Sequence, residues 1–112
     1  MKSRKNRQKK HENSKTEFSS MANWLTKRLD ANQQHYDMLR TSYILRGIDP
    51  KINPEKIRTE MRLLQTTLRG LSREFDEAKE QSKYFPEIKR QFSSGGFICR
   101  ILAAEIEDHL PV

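Results

Sequence analysis

The chain has 112 residues, of which 22 are Lys or Arg and 15 are Asp or Glu, so its formal net charge is +7 and its pI is near 9.8. Only 34% of the residues are apolar and 33% are charged, against about 45–50% and about 25% in average domains, so we expect one domain with a narrow core and exclude a multi-pocket enzyme. One Cys cannot form an internal disulfide, and no run approaches the roughly 18 apolar residues of a membrane span, which predicts a protein of a reducing compartment, cytoplasmic or nuclear.

The first fifteen residues hold most of the positive charge. They contain seven basic residues and one acid, a net charge of +6, whereas residues 16–112 carry 15 basic and 14 acidic residues, a net charge of +1. Met1 is the only apolar residue among the first fifteen, so this segment cannot bury enough surface to offset the entropy of ordering. We therefore predict a disordered basic tail over residues 1–17 and a helical domain over residues 18–112.

A basic tail of this kind has several possible functions. It can bind nucleic acid by releasing phosphate counterions, act as a nuclear import signal, anchor the chain to an acidic surface, or only increase solubility. Asn and Gln are interleaved with Lys and Arg, and the Phe, Trp and Leu of lipid-binding segments are missing, which favours a polynucleotide over a membrane. The predicted nucleic-acid-binding residues of the tail are Lys2, Arg4, Lys5, Arg7, Lys9, Lys10 and Lys15.

An apolar heptad pattern predicts the first helix, from about residue 20 to residue 46. Its members alternate between spacings of 4 and 3, as in a helix that pairs along one stripe. Gly47, in the left-handed conformation that follows many helices, and Asp49-Pro50 are predicted to end it. The pattern comprises Phe18, Ala22, Leu25, Leu29, Asn32, Tyr36, Leu39 and Tyr43. Asn32, its one polar member, either fixes register or oligomeric state, or lies half exposed at a gap.

A second heptad pattern predicts a helix from about residue 54 to residue 84. Asn53 is a capping residue, Pro54 suits the first helical position, and the acid Glu55 is favoured by the helix dipole. The pattern comprises Ile57, Met61, Leu64, Leu68, Leu71, Phe75, Ala78, Ser82 and Phe85. Gly70 lies inside this helix, where it either permits close approach of another helix or has no role.

The short connection between these helices predicts that they are antiparallel neighbours. Pairing each residue i with residue 100 minus i matches the two patterns layer by layer. It places Lys27 and Arg28 beside the acidic stretch of Glu74, Asp76, Glu77 and Glu80, and it places Asp30 and Asp37 near Arg69 and Arg62. The layers define a predicted interaction seam of Leu25, Leu29, Asn32, Tyr36, Leu39, Leu64, Leu68, Leu71 and Phe75.

The last quarter of the chain predicts a third, shorter helix. Ser93-Ser94-Gly95-Gly96 is the strongest break signal in the sequence, so we place this helix at about residues 97–109. Its apolar residues cover more than half of a helical wheel, which predicts burial on two sides. The predicted fold is all-α: a long antiparallel helical hairpin with heptad seams, closed by the C-terminal helix or by dimerisation.

The residues of enzymatic sites are not grouped in this sequence. His11, His35 and His109 are far apart, none has Cys or paired carboxylates at a ligand spacing, and no glycine loop for phosphate is present. Cys99 lies in the most apolar segment, where a buried inert thiol is favoured over a nucleophile. We predict neither enzymatic activity nor a metal or other cofactor.

A second group of basic residues lies on one face of the predicted second helix: Arg58, Arg62, Arg69 and Arg73. This face either follows a phosphate backbone or is a solvated surface that acidic residues neutralise. The sequence thus predicts a small, regulatory, nucleic-acid-binding protein that contacts the RNA or DNA backbone. The alternative is a helical interaction module, an assembly subunit or adaptor, whose tail is a localisation signal. Both readings allow a homodimer or a hetero-oligomer.

Overall fold

The computed structural model describes the backbone of residues 2–110 and the side chains of residues 13–110. Three helices account for this structure: α1 spans Lys2–Leu45, α2 spans Pro54–Gln81 and α3 spans Pro86–His109. The described residues contain no strand. The predicted all-α class and the number of helices in the domain are confirmed.

Helix α1 begins far earlier than the sequence pattern predicted. It starts at Lys2 and continues for 44 residues, so the predicted start near residue 20 is wrong. The predicted disordered tail is not confirmed. The physical reason is local, because no Gly or Pro precedes Gly47 and seven of the first fifteen residues are Lys or Arg, which are good helix formers. A segment without an apolar face therefore continues the helix that the core stabilises from residue 18 onward.

The connection between α1 and α2 confirms the predicted capping of α2. The Asn53 side chain accepts hydrogen bonds from the backbone N–H groups of Glu55 and Lys56, and Pro54 occupies the first turn. Helix α1 ends at Leu45, but no glycine among the described residues has a positive φ, so the predicted left-handed Gly47 is wrong. The chain turns instead through Asp49, whose carboxylate accepts the N–H of Lys51, and through Pro50, which cannot continue a helix.

Helix α3 passes without a break through the segment that was predicted to interrupt it. Ser93, Ser94, Gly95 and Gly96 are all helical, and α3 starts at Pro86, so the predicted start at residue 97 is wrong. The buried residues Ile88, Phe92, Cys99 and Ile106 lie on the same face of α3 as Gly95. Burial of this face outweighs the cost of about 1 kcal/mol for each helical glycine.

One apolar core joins all three helices. Every member of the second heptad pattern from Ile57 to Ser82 is buried. From α1, Ala22, Leu25, Leu29, Tyr36 and Leu39 are buried, and Phe18 and Tyr43 pack against the core. Because α3 adds its own buried face to this cluster, the core is closed within a single chain.

The glycines of α3 mark the closest approach of two helices. A Cβ atom added at Gly95 would lie 2.5 Å from Cζ and 2.7 Å from Cδ1 of Phe75, with Cε1 closer still. A Cβ atom added at Gly70 would meet nothing within 4 Å. Gly70 therefore permits no close approach, and the glycine that does is Gly95, in the segment that was predicted to be a break.

Ring contacts at both ends fix the directions of α1 and α3. The Phe18 and Phe85 ring centroids are 5.8 Å apart at one end, and those of Tyr43 and His109 are 5.7 Å apart at the other. Helices α1 and α3 are therefore parallel, and α2 runs antiparallel to both. Lys15 shares a surface groove with Phe85 at the α2–α3 connection, so residues 2–14 extend about 20 Å beyond it at 1.5 Å per residue.

Candidate nucleic-acid interface

The basic N-terminal residues lie in the first turns of α1. The side chains of Lys2, Arg4, Lys5, Arg7, Lys9 and Lys10 are outside the described residues, although their backbone belongs to α1. Lys15 is exposed. The helical backbone spaces these seven positions over about 20 Å of axis, so the predicted contacts share one extended helical segment.

The four predicted arginines of α2 have different surroundings. Arg58 is partly buried and forms an ion pair with Glu55, with Nη2 and Oε1 2.7 Å apart. Arg69 is exposed and has a longer pair with Glu107 of α3, at 3.8 Å. Arg62 and Arg73 are exposed and have no ion pair with a described residue. The unpaired guanidinium groups are thus those of Arg62 and Arg73.

A third helix contributes an arginine that the sequence analysis did not select. Arg100 of α3 faces α2, where its Nη1 donates to Ser72 Oγ at 3.3 Å and contacts Asp76 Oδ1 at 3.3 Å. Together with Arg69 and Arg73 it lines an open groove of about 360 Å³ between α2 and α3. We call Arg69, Arg73 and Arg100 the arginine groove.

The chemistry of the arginine groove suits a phosphate group. Guanidinium groups donate paired N–H bonds to phosphate oxygens, and the Ser72 hydroxyl adds a further donor at the edge of the groove. Asp76 and Glu107 compensate two of the three charges, since each lies against one arginine. The groove therefore presents one uncompensated cation, Arg73, beside two that a ligand would have to share with carboxylates.

Arg100 could be found only with the correct extent of α3. A helix that starts at residue 97 has no preceding turn packed against α2. The sequence then does not indicate whether the Arg100 side chain faces α2. With a continuous α3, Gly96 precedes Arg100 by one turn and packs against Phe75 and Asp76. The spacing of the apolar residues Ile88, Phe92 and Cys99, which continues across Gly95 and Gly96, could have indicated one continuous helix.

The predicted interaction seam lies inside this chain. Leu25, Leu29, Tyr36, Leu39, Leu64, Leu68, Leu71 and Phe75 are buried in the common core. Asn32 is half buried, and its amide donates to the backbone oxygen of Arg28 on its own helix at 2.8 Å, as expected for a residue at a gap. Arg28 forms an ion pair with Glu74, one of the four acids predicted to lie beside Lys27 and Arg28, at 2.8 Å. Arg69 was predicted to lie near Asp30 but forms its ion pair with Glu107 of α3.

Two buried groups on α1 and α3 have raised pKa values. Burial raises the pKa of the Cys99 thiol to about 11, and the side chain is fully buried. Burial, followed by a hydrogen bond with the Glu105 carboxylate, raises the pKa of Tyr36 to about 12. Both groups are held in their neutral forms, so Cys99 lacks the thiolate that nucleophilic chemistry requires.

No metal-binding group was found among residues whose side chains the structure describes: three or more His, Cys, Asp or Glu residues do not come together there. His35 is exposed, and His109 packs against the ring of Tyr43. Within residues 2–110, no helix combines the length and the apolar character needed to cross a membrane.

Comparisons with known protein families, with curated proteins and with solved structures give no match to this chain.

Proposed function

We propose that this protein binds the RNA or DNA backbone through its basic N-terminal segment and has no enzymatic activity. The observation that carries the proposal is the separation of charge: a net +6 in residues 1–15 and a net +1 in residues 16–112. Since phosphate neutralisation releases condensed counterions, a concentrated basic segment gains affinity that a nearly neutral bundle cannot supply.

The geometry of α1 supports this assignment to the N-terminal segment. Lys15 lines a groove with Phe85, and the Phe18 ring packs against the Phe85 ring, so α1 passes the α2–α3 connection here and six basic positions precede these contacts along α1. At 100° per residue these positions fall on all sides of a helix. A helix of this kind can contact the phosphates on both sides of a groove, with little discrimination between bases.

The arginine groove supports a secondary contact in the body. Arg73 is unpaired with any described carboxylate, and Arg69 and Arg100 lie beside it. We expect this groove to bind one phosphate at most, because Asp76 and Glu107 remain nearby. The main affinity therefore depends on the N-terminal segment, and the groove only adds to it.

Fluorescence anisotropy titrations with duplex DNA, duplex RNA and single-stranded RNA at two salt concentrations test the proposal. Seven neutralised phosphates predict a slope of about −6 for log K against log salt on duplex DNA, or a loss of about 4 × 10³-fold in affinity between about 50 and 200 mM salt. The variant replaces the six basic residues Lys2, Arg4, Lys5, Arg7, Lys9 and Lys10 by Gln, which retains helix propensity.

The matched control removes the same charge from the body. Six exposed residues without a described ion pair are replaced by Gln: Lys27, Arg40, Arg46, Lys51, Lys56 and Lys83. We expect the N-terminal variant to lose most of the affinity and of the salt slope and the control to lose much less. No binding at low salt, or equal losses in both variants, would contradict the proposal.

The alternative function is a helical interaction module, an assembly subunit or adaptor, with the basic segment as a localisation signal. The observation that favours it is the apolar tip between α1 and α2, where Ile44 is 62% and Ile48 is 81% exposed. Because the heptad residues are already buried in the chain, this alternative assigns the partner to the exposed tip rather than to the heptad faces. An isolated chain that melts cooperatively, together with binding lost in the N-terminal variant alone, rejects this alternative.

A further inference from the structure

The outer face of α3 carries a regular stripe of exposed residues, whose ends border the grooves toward α1 and α2. Its six residues are all exposed and follow each other at spacings of 4, 3, 4, 3 and 4. They are Arg90, Ser94, Phe97, Ile101, Ala104 and Asp108. At 100° per residue they centre nearly opposite the buried face of Ile88, Cys99 and Ile106. We call these six residues the outer stripe.

The outer stripe has the properties of a helix-pairing surface. Phe97 is 58% exposed and Ile101 is 42% exposed at its centre, with the small residues Ser94 and Ala104 on either side. Alternating spacings of 4 and 3 are those of a helix that packs against one partner helix along a narrow seam. The sequence predicted that α3 is buried on two sides. The core of the chain buries one side, and the outer stripe on the other side is exposed.

The stripe is complementary to itself when it is turned around. Pairing residue i with residue 198 minus i on an antiparallel copy matches Arg90 with Asp108, Ser94 with Ala104 and Phe97 with Ile101. Each layer then combines opposite charges, two small residues or two apolar residues. Neither Arg90 nor Asp108 has an ion pair with a described residue of its own chain, so both are available for the copy.

We infer that the protein forms a two-fold symmetric dimer through antiparallel pairing of the outer stripes of two α3 helices. A two-fold interface requires one surface to match itself in this way, with each contact made twice. Arg100 lies at the edge of the stripe near the symmetry axis, where the two copies of this arginine would repel each other. The repulsion is reduced because Arg100 contacts Ser72 and Asp76 of α2 in its own chain.

The dimer would separate the two basic segments. Helices α1 and α3 are parallel within each chain, so antiparallel α3 helices place the two N-terminal segments at opposite ends of the assembly. The 24-residue α3 sets their minimum separation at about 36 Å. This arrangement does not depend on what the basic segments bind.

Light scattering coupled to size-exclusion chromatography tests the dimer on the full chain without nucleic acid. The wild type is expected to elute as a dimer at high micromolar concentration, and Phe97→Asp is expected to weaken dimerisation about 10- to 100-fold, because it places a carboxylate in the apolar centre. Leu63→Asp, on the exposed surface of α2, is the matched control and is expected to leave the dimer intact. A monomeric wild type, or a Phe97→Asp variant that dimerises normally, would overturn the inference.

Charge exchange and cross-linking test the register. Arg90→Asp and Asp108→Arg are each expected to weaken the dimer about tenfold, and the double variant is expected to recover to within about threefold of wild type. A mixture of Ser94→Cys and Ala104→Cys chains should form an inter-chain disulfide, whereas neither variant should do so alone. Absence of recovery together with absence of the mixed cross-link would overturn antiparallel pairing, and unchanged thermal melts show that the variants are folded.

Discussion

The contact between Gly95 and Phe75 predicts opposite effects for the same substitution at two glycines. In both Gly70→Ala and Gly95→Ala the helix gains about 1 kcal/mol, because Ala has the higher intrinsic helix propensity. At Gly70 nothing lies within 4 Å of the new Cβ atom, so this gain is retained in full. We expect Gly70→Ala to stabilise the protein by about 1 kcal/mol.

At Gly95 the new methyl group meets a ring that cannot move freely. Three Phe75 ring atoms would lie closer than 3.0 Å, the Phe75 side chain is 1% exposed, and its ring packs against Phe92 with centroids 6.5 Å apart. Overpacking a core of this kind costs about 1–3 kcal/mol, and the upper part of that range applies because the overlap is large. After the gain in propensity is deducted, Gly95→Ala should destabilise the protein by about 1–2 kcal/mol.

Urea unfolding followed by circular dichroism measures both variants against the wild type. The midpoint should rise for Gly70→Ala and fall for Gly95→Ala at an unchanged m-value. Phe75→Leu provides the second test, since a smaller side chain makes room for the methyl group and should lessen the cost of Gly95→Ala in a double-mutant cycle. Equal stabilisation by both alanine variants would refute the close packing of α2 and α3 at this position.

Three further predictions follow from the buried groups and the arginines. The raised pKa values of Cys99 and Tyr36 mean that the folded state keeps protons that the unfolded state loses at high pH, so stability is fully present below pH 9 and falls as pH rises from 9 to about 12. Each group removes up to about 2–3 kcal/mol over its own range, and Tyr36→Phe should reduce the slope of stability against pH between 10 and 12, whereas an unchanged slope would contradict this cause. The Cys99 thiol should react with an aromatic disulfide reagent only as fast as the protein unfolds, so rapid labelling of the native chain would refute its burial. Arg73→Gln should weaken nucleic-acid binding about two- to fivefold at low salt and Arg58→Gln should have little effect, because Glu55 already neutralises Arg58; equal effects in the same titration would contradict the role of the arginine groove.

The core of α1 and α2 could be predicted from sequence because it follows a local rule. Alternating spacings of 4 and 3 place Leu25, Leu29, Leu64 and Leu68 on one side of their helices whatever they pack against, and all four are buried. The cap at Asn53 is equally local, since it depends on one side chain and the next three residues.

The candidate interface could be predicted only in part. The position of the basic segment and the four arginines of α2 are readable from the sequence, but the partners of those arginines are not. Glu55 lies three residues from Arg58 and could be anticipated, whereas Glu107 and Arg100 reach α2 from another helix. These contacts depend on which residues of α3 face α2. The sequence did not predict this, because Gly95 and Gly96 indicated a break before the helix.

The charge separation, the helical class and the heptad faces were determined by the sequence itself, because composition and period act over a few residues at a time. Only the tertiary structure decided that residues 93–96 are helical, that Gly95 rather than Gly70 is the point of close approach, and that Arg100 joins Arg69 and Arg73. The physical reason is the same in each case. Gly95 weakens an isolated helix, but its lack of a side chain allows the ring of Phe75 to pack against the α3 backbone. That packing stabilises the continuous α3 and determines which of its residues, Arg100 among them, face α2.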